Sequence, residues 1–188
     1  MQAARGASLS PSDHGGERDP VSTGDQKARL RLVLGIAVVA WVVDLVTKTL
    51  AVAKLDGHPP VHLVGRLLQL SFARNPGAAF STGTRYTGLI TALAVVAVVV
   101  VAHFARGVRS LGWAWALGLL LAGIAGNLTD RLFREPGPLR GHVVDFLQLP
   151  HWPVFNIADM CINVAAVVIV VQSLRGVRLD GHRPKTAT

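Results

Sequence analysis

Hydrophobic residues are grouped into four long runs along the chain, with shorter mixed segments between them. The runs cover about residues 30–53, 87–105, 113–132 and 155–174. A helix needs about 20 predominantly apolar residues to cross the hydrocarbon core of a bilayer, and each run is close to that length. The pattern therefore predicts an all-α membrane protein with four transmembrane helices.

The segment between the first two runs is mixed and lacks a helical pattern. Apolar and less apolar residues alternate from Leu68 to Ala73, which is typical of a short half-buried strand. Asn75-Pro76-Gly77 then supplies turn residues, because proline fixes φ and glycine accepts a positive φ. We expect a small extracytoplasmic β-sheet and a loop region here, lying on the membrane surface.

The termini differ in composition from the four runs. Residues 1–26 are rich in Gly, Ser, Pro and Asp without apolar periodicity, which predicts a disordered N-terminal tail. Residues 27–174 then form the membrane domain, and residues 175–188 form a basic cytoplasmic tail. Ala51-Val52-Ala53 resembles a signal-peptide cleavage site. The first run is too long for a signal peptide, however, and Asp44 and Lys48 interrupt it.

The charge distribution supports a membrane protein. The formal net charge is +8, from 19 Lys and Arg against 11 Asp and Glu, and many basic residues flank the apolar runs. Nucleic-acid binding would instead call for a basic stripe on a folded surface, so we expect no nucleic-acid partner. Four spans place both termini on one side, which the flanking basic residues make cytoplasmic. The single cysteine, Cys161, leaves no disulfide and no Cys cluster for a metal, and we expect neither a metal nor a cofactor.

Polar residues inside the apolar runs are the candidate functional residues, because ionisable side chains within a membrane are costly and usually functional. Asp44 and Lys48 are four residues apart and can pair on one helix face, either to orient the helix or to serve an active site. Two further sets share a helix face, and Asp145 lies in an apolar connection between them. The sets are Gly123, Asn127, Asp130 and Arg131 in the third run, and Asn156, Asp159 and Asn163 in the fourth.

The predicted topology brings all these polar residues to the outer half of the membrane. Asp145 and Asp159 stand in apolar surroundings, where two carboxyls can share a proton and act as an acid/base pair. Asp130 competes with them on sequence grounds alone. Two other classes remain open, namely a small proton-coupled transporter and a non-catalytic scaffold. A transporter would need polar groups through the full membrane depth, whereas the inner half of these runs is apolar.

Five segments in order on this four-span frame resemble the lipoprotein signal peptidases (signal peptidase II), aspartyl proteases of bacterial membranes. The resemblance covers about residues 30–174. The segments are Asp44 with Lys48, Asn75-Pro76-Gly77-Ala78-Ala79-Phe80, Gly123 followed by Gly126-Asn127-Leu128-Thr129-Asp130-Arg131, Val143-Val144-Asp145-Phe146, and Phe155-Asn156-Ile157-Ala158-Asp159.

The resemblance implies that Asp145 and Asp159 are the catalytic pair and that Asp130 is a supporting residue. It implies an inner-membrane enzyme with its active site near the extracytoplasmic face. The substrate would be a diacylglyceryl-modified prolipoprotein, cut just before the lipidated cysteine, with the lipid held in a membrane-facing gap. We expect it to act as a monomer in contact with membrane lipid. The other implied substrate-binding or supporting residues are Asp44, Lys48, Asn75, Gly77, Gly123, Asn127, Arg131, Asn156, Ala158 and Asn163.

Overall fold

Four helices form the body of the protein. The computed structural model describes residues 23–77 and 87–182. Its helices are α1 (Thr23–Leu55), α2 (Thr87–Ala105), α3 (Leu111–Phe133) and α4 (Ile157–Leu174). Each helix is long and apolar enough to cross a membrane. The prediction of four spans is therefore confirmed.

The first helix begins earlier than the sequence pattern predicted. α1 begins at Thr23, so residues 23–26 are helical and do not belong to a tail. Asp25 in the first turn complements the positive N-terminal end of the helix dipole. Gln26 Nε2 donates a hydrogen bond to the carbonyl oxygen of Arg106 at 2.6 Å. The rest of the predicted tail, residues 1–22, lies outside the described residues.

The segment after α4 folds back against the helices. Trp113 Nε1 donates a hydrogen bond to the carbonyl oxygen of Val177 at 2.7 Å. The N–H of Arg109 donates to the carbonyl oxygen of Leu179 at 2.9 Å, and the Leu179 side chain packs against the helical core. The first part of the predicted basic tail is therefore attached to the bundle, and residues 183–188 lie outside the described residues.

A three-stranded antiparallel sheet lies at one end of the bundle. Its strands are β1 (Val61–Val64), β2 (Leu68–Asn75) and β3 (Val143–Gln148), in that order across the sheet. The predicted small sheet is confirmed, and β2 contains the strand expected at residues 68–73. β3 had been interpreted only as a connection. It pairs with β2 so that Asp145 stands opposite Ala73.

Apolar clusters occupy the two ends of the bundle. We call the end with Thr23 and Leu174 the terminal end, and the other the sheet end. The terminal-end cluster contains Val33, Val101, Ala105, Val108, Ala114 and Leu117. The sheet-end cluster joins Ala51 and Leu55 of α1 to Val144 and Phe146 of β3. Between these clusters lies a layer of buried polar side chains.

Small residues let α3 pack closely against its neighbours. A Cβ on Gly118 would lie 2.9 Å from the Ile36 side chain of α1. A Cβ on Gly123 would lie 2.5 Å from the carbonyl oxygen of Ala158 in α4. Such close approach is the usual role of small residues between membrane helices. Gly123, predicted as a supporting residue, therefore has a packing role.

We predict that Gly123→Ala destabilises the protein, because the added methyl group has no space against the α4 backbone. Overpacking of this kind lowers the free energy of unfolding by about 1–3 kcal/mol. Gly88→Ala is the matched control, since a Cβ there meets nothing within 4 Å. Denaturant titration in detergent micelles measures both variants, and equal stabilities would contradict this packing role.

Candidate active site

The two aspartates of the predicted pair line one cavity. Asp145 projects from β3 and is 3% exposed, whereas Asp159 lies in the first turn of α4 and is half-buried. The cavity has a volume of about 260 Å³. Its walls are Asn75, Asp145, Trp152, Pro153, Val154, Phe155, Asp159, Ile162 and Asn163. The structure thus brings together groups that are 14 residues apart in the chain.

Asn156 links the two carboxyl groups. Its Nδ2 donates to Asp145 Oδ1 at 2.6 Å. Its backbone N–H donates to Asp159 Oδ2 at 3.2 Å, and its Oδ1 accepts from the Asp159 N–H at 2.9 Å. These last two bonds form a capping box, which satisfies backbone donors that a helix start leaves unpaired. The cap that starts α4 therefore also fixes Asp159 relative to Asp145.

The same cap explains where α4 begins. The fourth span was predicted to begin near Phe155, but Phe155 is bonded to the backbone of Leu147 in β3. Asn156 is the N-cap with extended backbone angles, and the helix begins at Ile157. The short connection thus leaves β3, returns beside it and enters α4 directly at the site.

Asn127 of α3 holds Asp159 from the other side. Its Nδ2 donates to Asp159 Oδ1 at 2.8 Å. Its Oδ1 accepts from Lys48 Nζ at 2.9 Å and from Asn156 Nδ2 at 3.2 Å. Asn127 therefore connects the site to the charged residues of α1.

Asn75, at the end of β2, contacts Asp145. Its Nδ2 donates to Asp145 Oδ2 at 3.2 Å, and its Oδ1 accepts from the N–H of Gly77 at 3.1 Å. Gly77 thus orients the Asn75 amide. The Ala78, Ala79 and Phe80 positions of the same motif lie outside the described residues.

The pKa of Asp145 is raised to about 6, mainly by burial and then by the nearby charge of Asp159. Hydrogen bonds from Asn75 and Asn156 and the charge of Lys48 oppose this shift. A carboxyl that holds its proton up to about pH 6 beside a second carboxyl is the arrangement that acid/base catalysis by paired aspartates uses.

A buried network of charges lies beside these aspartates. Lys48 Nζ contacts Asp44 Oδ2 at 2.8 Å and Asp130 Oδ2 at 2.9 Å. All three side chains are nearly inaccessible to solvent. Asp130 also pairs with Arg134 through its Oδ1. Arg134 was missed in the sequence, although its spacing of four residues from Asp130 is the signal that could have found it.

The network holds backbone segments as well as charges. Asp130 Oδ2 accepts from the N–H of Val144 at 3.1 Å, directly before Asp145 in β3. Asp44 Oδ1 accepts from the N–H of Ala158 at 2.8 Å, directly before Asp159 in α4. Each supporting aspartate therefore holds the backbone next to one member of the predicted catalytic pair.

Known proteins resemble this chain over most of its length. A sequence model described as signal peptidase (SPase) II matches residues 36–175. The chain is 46% identical over 155 residues to a protein from Streptomyces coelicolor named lipoprotein signal peptidase, covering 82% of this chain and 76% of that protein. The chain belongs to the signal peptidase II family.

Further relatives agree with this family. A lipoprotein signal peptidase from Mycobacterium tuberculosis is 43% identical over 171 residues, covering 91% of this chain and 84% of that protein. A solved structure described as a bacterial membrane enzyme, obtained by the in meso method, is 26% identical with a TM-score of 0.63. That match covers 83% of this chain and 94% of the solved chain.

Family membership makes this chain a multi-pass bacterial membrane protease of the signal peptidase II type, an aspartic peptidase family. It decides against the transporter and the scaffold. The individual roles of the site residues stay predictions. Within the described parts of the chain, no group of three or more His, Cys, Asp or Glu side chains is placed to hold a metal ion.

Two predicted site residues have few contacts in this signal peptidase. Arg131 is buried, but its Nη1 has no hydrogen-bond partner among the described residues. Asn163 lines the cavity one turn after Asp159 and is exposed. Asn163 is thus free to bind another molecule, whereas Arg131 lies behind the cavity wall.

We predict that Lys48→Met strongly destabilises the protein, because it leaves Asp44 and Asp130 buried with less compensating charge. Removing one partner of a buried ion pair typically costs about 3–5 kcal/mol. The matched control is Arg74→Gln, which breaks a pair with Asp56 whose side chains are 39% and 45% exposed, and such exposed pairs contribute about 0–1 kcal/mol. Denaturant titration in detergent compares the free energies of unfolding of the two variants. A similarly small loss for Lys48→Met would contradict the view that this buried network stabilises the protein.

Proposed function

We propose that this signal peptidase cleaves diacylglyceryl-modified prolipoproteins just before the lipidated cysteine, using water activated by Asp145 and Asp159. The observation that carries the proposal is the pair of carboxyl groups linked by Asn156 at one cavity. The relatives named above are called lipoprotein signal peptidases, which supports the class of substrate.

The proposed reaction needs one proton shared between the two aspartates. The ionised carboxylate takes a proton from water while the water oxygen attacks the carbonyl carbon of the scissile bond. The protonated carboxyl gives its proton to the carbonyl oxygen, forming a neutral tetrahedral intermediate. As the intermediate collapses, the C–N bond breaks, the leaving nitrogen receives a proton from the newly protonated carboxyl, and the other carboxylate takes a hydroxyl proton from the intermediate, which restores one proton to the pair. The resting proton belongs to the pair and not to either residue.

The hydrogen bonds and burial of the pair favour one ionised and one neutral carboxyl. Asn127 and Asn156 donate to the two carboxyls from different sides, and donors to a carboxylate favour its ionised form. Burial of Asp145 acts in the opposite direction and favours its neutral form. We infer that this balance keeps one proton on the pair up to about pH 6.

Asn163 is proposed to contact the substrate. It lies on the cavity wall, where its amide could bind the extended peptide. The diacylglyceryl chains would remain in the bilayer beside the cavity, so the substrate could enter sideways from the membrane.

We propose that both termini are cytoplasmic and that the active site faces the extracytoplasmic side. Among the described residues, the terminal end carries more basic residues than the sheet end, where Lys54, Arg66, Arg74, Arg134 and Arg140 lie apart from the buried Lys48 and Arg131. The positive-inside rule therefore favours the terminal end as the cytoplasmic one. The terminal-end basic residues are Lys27, Arg29, Arg31, Arg106, Arg109, Arg175 and Arg178. The sheet and the aspartate pair belong to the opposite end. We also propose that one chain is sufficient for activity, since both aspartates and their contacts come from the same chain.

We predict that Asp145→Asn and Asp159→Asn each abolish cleavage of a diacylglyceryl-modified prolipoprotein by purified protein. An amide can neither accept the water proton nor carry the shared proton, while its shape preserves much of the site. A gel-shift assay measures cleavage, with an unlipidated substrate expected to remain intact.

Asp56→Asn is the matched control, because Asp56 is exposed at the sheet end and, among the described residues, its carboxylate pairs only with Arg74. It should cleave like the wild type. Persistent cleavage by a folded Asp145 or Asp159 variant would reject the assignment of the pair and bring Asp130 forward.

We predict that Asn75→Ala moves the alkaline limb of the pH–activity profile to higher pH. Asn75 donates a hydrogen bond that lowers the pKa of Asp145. Without that bond the pKa rises above about 6, so the shared proton is retained to higher pH. The profile of kcat/KM against pH measures this shift. Asn163→Ala should leave the limb in place, since no hydrogen bond joins Asn163 to Asp145 in the described structure, and equal shifts in both variants would contradict the explanation.

A further inference from the structure

A second cavity lies between α1 and α3 at the terminal end, far from the aspartate pair. It has a volume of about 440 Å³. Its lining residues are Arg31, Leu32, Gly35, Ile36, Val39, Ala40, Trp115 and Leu119. The groove shares no lining residue with the cavity of the aspartate pair, and Arg31, at its terminal side, is 13 residues from Asp44 on α1, or about 20 Å along a helix axis. This groove is therefore separate from the active site.

The groove exists because α1 and α3 touch on one side of it and leave space on the other. Gly118 brings α3 against Val33 and Ile36. One position before Ile36, a Cβ on Gly35 would meet nothing within 4 Å. Gly35 therefore leaves an open channel on the membrane-facing side of this contact, walled by aliphatic side chains.

Two hydrogen-bond donors line the groove without a partner. Arg31 is exposed and makes no ion pair or hydrogen bond to another described residue. Trp115 is 48% exposed, and its indole N–H has no acceptor in the described structure. The neighbouring tryptophans differ, because Trp41 donates to Thr129 at 3.0 Å and Trp113 to Val177 at 2.7 Å. The groove thus combines an apolar channel with a cation and a free N–H.

We propose that this groove binds one anionic glycerophospholipid of the membrane. One acyl chain would lie along Gly35, Val39 and Ala40, and the phosphate would accept hydrogen bonds from Arg31 and Trp115. Guanidinium groups suit phosphate oxygens, and basic pockets between membrane helices bind anionic headgroups.

The charge of the surroundings favours an anionic headgroup over a zwitterionic one. Basic residues outnumber acidic ones at the terminal end, where Asp25 and Asp180 are the acidic side chains among the described residues. Asp180 is itself close to Arg178, at 3.9 Å. The site therefore presents a net positive field to the headgroup.

Native mass spectrometry of the full chain in detergent tests the proposal, with phosphatidylglycerol as the probe and phosphatidylcholine of identical chains as the comparison. We expect one phosphatidylglycerol to bind about tenfold more tightly than phosphatidylcholine. Gly35→Leu fills the channel and Arg31→Gln removes the cation, so each should weaken phosphatidylglycerol binding about tenfold.

Two matched controls isolate the groove. Gly88→Leu adds the same side chain to α2 where there is also open space, and Arg29→Gln removes a neighbouring arginine that does not line the groove. Both should bind like the wild type. Equal binding of the two lipids, unchanged binding by Gly35→Leu, or a detergent-stable dimer that Gly35→Leu abolishes would each overturn the proposal. Because the measurement is binding at the terminal end, its result is independent of whether the aspartate pair is catalytic.

Discussion

The buried ammonium group of Lys48 is the interaction on which the polar layer of this protein depends. It lies between the carboxylates of Asp44 and Asp130 and also reaches Asn127. An unpaired charge at this depth would be very costly, so each of these groups depends on the others for its burial. Through them, α1 and α3 are held together at the level where the active site is built.

The consequences of this contact spread along the backbone to the proposed catalytic pair. Asp130 holds the N–H of Val144, and Asp44 holds the N–H of Ala158. Each bond is one residue away from a proposed catalytic aspartate. The ion network therefore positions a strand and a helix start, which in turn position the two carboxyls. Residues far apart in sequence become parts of one rigid arrangement, as preorganised active sites require.

The sequence predicts the helices well because a membrane span is a local property of length and hydrophobicity. The helix ends are less predictable, because they depend on tertiary contacts. α1 begins early, with Gln26 bonded to Arg106. α4 begins late, since Phe155 pairs with Leu147. The sequence pattern did not predict β3, because its short apolar segment is also typical of a connection. It becomes a strand only by pairing with β2, which is distant in the sequence.

The residues of the candidate site could be predicted from the sequence, but the hydrogen bonds that join them could not. The resemblance named both aspartates and their neighbours, and polar residues in apolar runs pointed to the same positions. It could not show that Asn156 contacts both carboxyls, or that Asn127 joins Asp159 to Lys48. These contacts join four separate elements and exist only after folding. Arg131 was predicted as a supporting residue, but its buried Nη1 makes no hydrogen bond to another described residue.

The double use of Asn156 limits how this site can change during evolution. Asn156 caps a helix and contacts both acidic groups, through its side chain to Asp145 and its backbone N–H to Asp159, so a substitution that removes its side-chain amide disturbs the helix start and the acid pair together. An inhibitor that bound the two cavity-lining carboxyls held by Asn156 would leave the bacterium few ways to escape by a single mutation. Substitutions in the exposed strand β1 would disturb neither the helix start nor the acid pair.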